Sequence, residues 1–129
     1  MIEPIKYEDS KVLMLDQTLL PSQSTYVHIK TVEQMFDAIK TMKVRGAPAI
    51  GIAAAYGVVL GLQPAIGGDE SAMFERLEQV VDYLASSRPT AVNLFWALDR
   101  LRRRAEQLRG KSPTDVLLAQ LLEEAVAIH

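Results

Sequence analysis

The chain has 129 residues, 49% of them hydrophobic and 23% charged, enough for one domain with a single buried core. Lys and Arg total 14 against 16 Asp and Glu, a formal net charge of -2, so no overall basic field draws the chain to nucleic acid or an anionic membrane, and any anion must be held locally. The absence of cysteine excludes disulfides, thiolate metal sites and a thiol nucleophile within these residues, and the charged start MIEPIKYEDS lacks the apolar core of a signal peptide, so a cytoplasmic location is expected.

Ile5 to Tyr7 and Lys11 to Gln17 read as strands about the turn former Glu8-Asp9-Ser10. Ser24 to Lys30 follows the break at Pro21-Ser22, which completes a small antiparallel meander. From Thr31 the period changes. Val32, Met35, Phe36 and Ile39 fall at helical spacing, and Thr31 with Gln34 forms a capping box.

A second helix should open near Pro48 and run to about Leu62, with Ala53, Gly57 and Gly61 four apart, a stripe that suits tight packing against a neighbouring backbone. Residues 46–68 carry no formal charge, but Ala and Gly dominate them and Pro48 and Pro64 bracket them. A buried helix is therefore expected rather than a membrane span of about 20 strongly apolar positions.

After the Gly67-Gly68 loop, Met73, Leu77, Val80, Val81 and Leu84 define a third helix that ends at Ser86-Ser87. Thr90 is placed to cap a fourth, carrying Leu94, Leu98, Leu101, Ala105 and Leu108 and terminated by Gly110. Ser112-Pro113, with Asp115 three residues after the serine, starts a fifth. This helix stays apolar to the last residue, which points to a chain that continues beyond His129. The fold class is α+β: a short N-terminal antiparallel β-meander followed by a mostly helical bundle of about five helices.

Lys43-Val44-Arg45-Gly46-Ala47-Pro48 brings an arginine to a glycine and a helix start, where the first backbone N–H groups lack partners and the dipole end is positive. Ser87-Arg88-Pro89-Thr90 repeats the arrangement, so two arginines stand at two helix starts, each able to grip phosphate through paired hydrogen bonds. The alternative is that each solvates a loop or pairs with a carboxylate. Even the anion reading reaches only a phosphate or carboxylate ligand.

Arg100, Arg102, Arg103 and Arg104 read as a solvated helix face, and His28 has no second ligand nearby to make a metal site. Asp16 and Asp99 are assigned to structure, and Phe95 and Trp96 to the core or to a domain contact.

The words LDQTLLP at 15–21, KVRGAPAIGIAAAYG at 43–57 and SRPTAVNLFWAL at 87–98 closely resemble the methylthioribose-1-phosphate isomerases of methionine salvage, a branch of amino-acid biosynthesis, over essentially the whole chain. Weaker versions occur in ribose-1,5-bisphosphate isomerases and in the regulatory α, β and δ subunits of a translation-initiation exchange factor. The resemblance implies that residues 1–129 are the N-terminal domain of a two-domain aldose–ketose isomerase that uses neither nucleotide nor obligatory metal. Its substrate is 5-methylthioribose 1-phosphate and its product 5-methylthioribulose 1-phosphate.

By that resemblance Arg45, Gly46, Ala47 and Arg88 help to hold the substrate, while the catalytic cysteine and acid aspartate come from a later Rossmann-like domain. No catalytic residue and no metal ligand is then expected in this stretch, which should be inactive alone. The small-molecule sugar phosphate and the C-terminal domain are its expected partners, with neither nucleic acid nor membrane, and the full-length protein is expected to be a homodimer. A ribose-1,5-bisphosphate isomerase and a non-catalytic regulatory or assembly subunit of the same fold are the alternatives.

Overall fold

The computed structural model of the chain describes residues 5–16, 18, 25–41, 43–44 and 46–129. Strands β1 (Ile5–Glu8), β2 (Lys11–Leu15) and β3 (Tyr26–Ile29) form an antiparallel sheet in the order β1-β2-β3. Asp9 and Ser10 close the first hairpin at φ 51° and 61°, the left-handed pair that matches strand twist in a two-residue turn. The pairings Ile5↔Met14 and Val12↔Ile29 set four buried apolar side chains on one face of the sheet. The meander matches the sequence reading. Gln17 and Ser24, at the expected strand limits, lie outside the described residues.

Helix α1 (Val32–Lys40) starts with the expected capping box: the Gln34 N–H donates to Thr31 Oγ1 at 3.1 Å, and Gln34 Oε1 accepts from the Thr31 N–H at 3.3 Å. Helix α2 (Ala47–Leu62), buried at every position from Ala53 to Leu62, is the centre of the molecule. A helix apolar all round must be enclosed, and α1, α3 (Glu70–Ala85), α4 (Val92–Leu108) and α5 (Thr114–Ile128) all pack on it. With the following 3-10 turn, α2 is long and apolar enough to cross a membrane by length and composition; its burial identifies it as the core helix of this domain.

The small-residue stripe does pack closely. A Cβ at Gly61 would lie 2.7 Å from one Val80 methyl and 3.2 Å from Val32 Cβ, so α1 and α3 approach the α2 backbone where a side chain would stand.

Two helix starts differ from the sequence reading. Thr90 does not cap α4: the N-cap is Ala91, with no side-chain cap bond, because Arg88–Ala91 form a turn closed by the Ala91 N–H on the Arg88 carbonyl at 3.0 Å. Ser112 does not cap α5 either. Pro113 is its N-cap, and the Thr114 hydroxyl instead accepts from the Gly67 N–H at 3.1 Å, stitching the α2–α3 loop to the start of α5. Gly110, at φ 75°, follows the end of α4 as expected.

Candidate functional site

The segment ahead of α2 is held from below. Val44 is buried in the core, and the Lys43 N–H donates to the Ala38 carbonyl at 3.0 Å, folding the chain back on the end of α1. Gly46 then takes φ 90°, a conformation that disfavours any side chain, and serves as the N-cap of α2 without a side-chain cap bond. The Ile50 N–H reaches the Gly46 carbonyl at 3.0 Å. The Ala47 and Ala49 N–H groups have no partner among the described residues, and Pro48 has no N–H to satisfy.

The α3–α4 connection is fixed in a comparable way. Ser87 is buried and its hydroxyl donates to the Leu84 carbonyl at 2.6 Å, which ties Arg88 to the end of α3. The Ala91 carbonyl accepts from both Leu94 and Phe95, at 3.1 and 3.4 Å, while the Val92 and Asn93 N–H groups have no partner among the described residues.

These two starts converge. Gly46, Ala47 and Ile50 from α2 and Arg88, Ala91, Val92 and Asn93 from the α4 side line one open cavity of about 370 Å³. Three of the four expected binding residues, Gly46, Ala47 and Arg88, therefore face the same space; Arg45 lies outside the described residues. Arg88 is half-buried, and no carboxylate among the described residues lies within ion-pair distance of it. The structure corrects one detail: Arg88 does not abut a helix start, since the 88–91 turn separates it from α4, and it reaches the cavity from the flank. Arranged so, two positive helix ends and one guanidinium can seat an anion against walls otherwise formed by Ala47, Ile50, Ala91 and Val92.

The other candidates fall away from this cavity. Arg100 pairs with Glu124 at 2.6 Å, Arg103 with Asp99 at 2.8 Å, and Arg102 with both Asp99 and Glu78, which makes the arginine run the solvated, ion-paired face expected of it. Asp16 is buried and accepts from the Thr18 N–H and hydroxyl, a structural role. His28 is exposed on β3, and no group of three potential metal ligands occurs among the described residues.

Phe95 and Trp96 are not core residues. They are 43% and 48% exposed and, with Val92 at 79%, make an apolar strip on α4 beside the cavity. Tyr56 is the buried titratable group of note: burial, and then the neighbouring Tyr7, raise its phenol above its ordinary value. It stacks on Tyr7 with ring centroids 5.3 Å apart and contacts His129 Nδ1 at 2.8 Å, within the core rather than at the cavity.

Sequence reasoning missed Ile50, Ala91, Val92 and Asn93. Ile50 is one turn beyond Ala47 on α2, a spacing that could have found it. Asn93 joins the site only because α2 and α4 cross there: a Cβ at Gly51 would lie 3.4 Å from the Asn93 carbonyl oxygen and 3.7 Å from Ala97 Cβ.

Residues 43–129, which include the whole cavity, match the initiation factor 2 subunit family. The chain belongs to that family. Among family relatives, it is 49% identical over 126 residues to the 5-deoxyribose 1-phosphate isomerase of Bacillus thuringiensis (strain Al Hakam), covering 98% of this chain and 36% of that one. It is 46% identical to the methylthioribose-1-phosphate isomerase of Syntrophotalea carbinolica, covering 98% and 37%.

Two solved family structures share the fold. The 5-methylthioribose 1-phosphate isomerase from Pyrococcus horikoshii OT3 superposes with a TM-score of 0.92 at 35% identity, and subunit delta of the translation initiation factor eIF-2B from A. fulgidus with 0.89 at 36%. Each comparison covers 99% of this chain and 36% of the other. The chain thus spans little more than a third of the length of these family members, several of them sugar-phosphate isomerases.

Proposed function

We propose that this chain supplies the phosphate grip of an aldose–ketose isomerase, and that the sugar phosphate held is 5-methylthioribose 1-phosphate, converted to 5-methylthioribulose 1-phosphate. The observation that carries the proposal is the convergence of Arg88 and two helix starts without side-chain caps on one cavity, in a chain whose relatives include isomerases of C1-phosphorylated pentoses.

The chemistry explains why a grip matters. The anomeric oxygen of such a substrate is esterified, so its ring cannot open as a free sugar's does, and the phosphate must be immobilised while the ring is protonated and opened. Holding it converts binding into positioning of C1 and C2. The described residues facing the cavity offer no acid or base for the proton transfers, which fits a division of labour in which those groups come from the rest of a longer protein. Turnover by the 129-residue chain alone would overturn that division.

Two other substrates or roles have specific observations behind them. 5-Deoxyribose 1-phosphate is favoured by the 49% identity to isomerases of that name, and shares with the methylthio compound one phosphate and an apolar C5 end. A ligand-sensing subunit is favoured by the likeness to the initiation-factor subunit.

Calorimetric titration of 5-methylthioribose 1-phosphate into wild type, Arg88→Ala and Arg45→Ala tests the grip. Loss of a charge-assisted phosphate contact should cost about 1.5–3 kcal/mol, roughly tenfold to more than a hundredfold in affinity. Wild-type affinity in both variants would refute the assignment.

A further inference from the structure

We propose that Asn93 is a positioning residue that binds the C2 oxygen of the sugar while Arg88 and the helix starts hold the phosphate; this rests on the reading of the cavity as a sugar-phosphate site. Asn93 and Arg88 are the two polar side chains among the described lining residues, and the side chain of neither has a hydrogen-bond or ion-pair partner among the described residues. Several polar groups outside the cavity are instead engaged within the fold. Asp16 is satisfied by Thr18, and Arg100, Arg102 and Arg103 have carboxylates.

The crossing of α2 and α4 fixes where Asn93 stands. Gly51 brings the backbone of α2 against it, and Ala97, one turn further along α4, packs on the same glycine. Asn93 is therefore set in the first turn of a helix anchored in the bundle by the buried Leu94, Ala97, Leu98 and Leu101, at the end of α4 that lines the cavity.

A carboxamide differs from a guanidinium in carrying an acceptor as well as donors, so it matches a hydroxyl, which both gives and takes a hydrogen bond, where a phosphate dianion only takes. Once the C1 phosphate is anchored, the hydroxyl on the neighbouring carbon, C2, is the first within reach of a side chain next to the anchor. That oxygen becomes the carbonyl of the ketose. The Asn93 NH₂ can donate to it in both substrate and product, while the carboxamide oxygen accepts only from the hydroxyl, so the same side chain can hold the reacting centre throughout.

The test is a cycle between protein and ligand using the 129-residue chain, with affinities for ribose 1-phosphate, 2-deoxyribose 1-phosphate and inorganic phosphate measured by amide chemical-shift titration. In wild type, removing the 2-hydroxyl should weaken binding about three- to tenfold, the range of a neutral hydrogen bond. In Asn93→Ala, ribose 1-phosphate should fall to the level of the 2-deoxy compound, the two should become equal, and inorganic phosphate should bind as before. The wild-type comparison of the two sugars needs no variant, so misfolding of Asn93→Ala cannot hide a negative result.

If wild type does not distinguish the two sugars, or if Asn93→Ala still does, the C2 contact is wrong while the phosphate grip stands. If Asn93→Ala weakens inorganic phosphate equally, the residue serves the phosphate or the fold and the proposal fails. If wild type binds none of the three, the cavity reading itself is overturned and the Asn93 role falls with it.

Discussion

Replacing Gly61 and Gly51 by alanine, separately, should move stability in opposite directions. Both lie within α2, so each gains about 0.5–1 kcal/mol from replacing glycine in a helix. The surroundings differ. At Gly61 the new methyl would lie 2.7 and 2.9 Å from the two Val80 methyls and 3.2 Å from Val32 Cβ, and these are stiff β-branched side chains with no flexible end to yield. Overpacking of this kind costs about 1–3 kcal/mol. At Gly51 the nearest atoms are at 3.4 and 3.7 Å, ordinary contact, so the propensity gain survives.

Subtracting one variant from the other cancels the helix term and leaves the close approach alone, about 1–3 kcal/mol. Urea denaturation followed by circular dichroism reads this as a lower midpoint for Gly61→Ala and a raised one for Gly51→Ala, with unchanged slopes. Equal midpoints would refute the claim that the small-residue stripe exists to let α1 and α3 approach the α2 backbone.

Thr31→Ala removes the reciprocal cap of α1 and should cost about 1 kcal/mol, readable as a lower denaturation midpoint. Tyr56 gives a pH dependence whose sign follows from burial. Its folded-state pKa is raised above the unfolded value near 10, so its stabilising contribution is complete below about pH 10 and is lost as pH rises from there through the folded pKa, because the unfolded chain releases the phenol proton first. Tyr56→Phe should flatten that alkaline loss in a pH series of thermal melts, while an unchanged slope would assign it to other groups.

The sequence exposed what depends on local chemistry. The Thr31/Gln34 box, the apolar period of α3 and the all-round apolarity of α2 are written in neighbouring residues, and the structure realises each. The misplaced caps have a common cause: Thr90 and Ser112 are good capping residues in isolation, but the Arg88–Ala91 turn delays α4, and the start of α5 is tied to the Gly67 loop through Thr114, a tertiary partner the local pattern does not contain.

The site divides in the same way. Gly46, Ala47 and Arg88 could be suspected from residue type beside a helix start, whereas Asn93 and Ile50 enter only through the crossing of two helices distant in sequence. Aromatic residue type on the fourth helix admits Phe95 and Trp96 to a core or a domain contact; their exposure removes the first of these.

The four N–H groups without a partner among the described residues, at Ala47, Ala49, Val92 and Asn93, belong to the main chain, so no point mutation short of proline deletes their donors. If the cavity holds an anion as proposed, the receptor is set by backbone path rather than by any one codon. Substitutions among the lining side chains would then change which anion fits without removing these donors, and loss of the notch would need a change of backbone path, such as an inserted or deleted residue ahead of either helix.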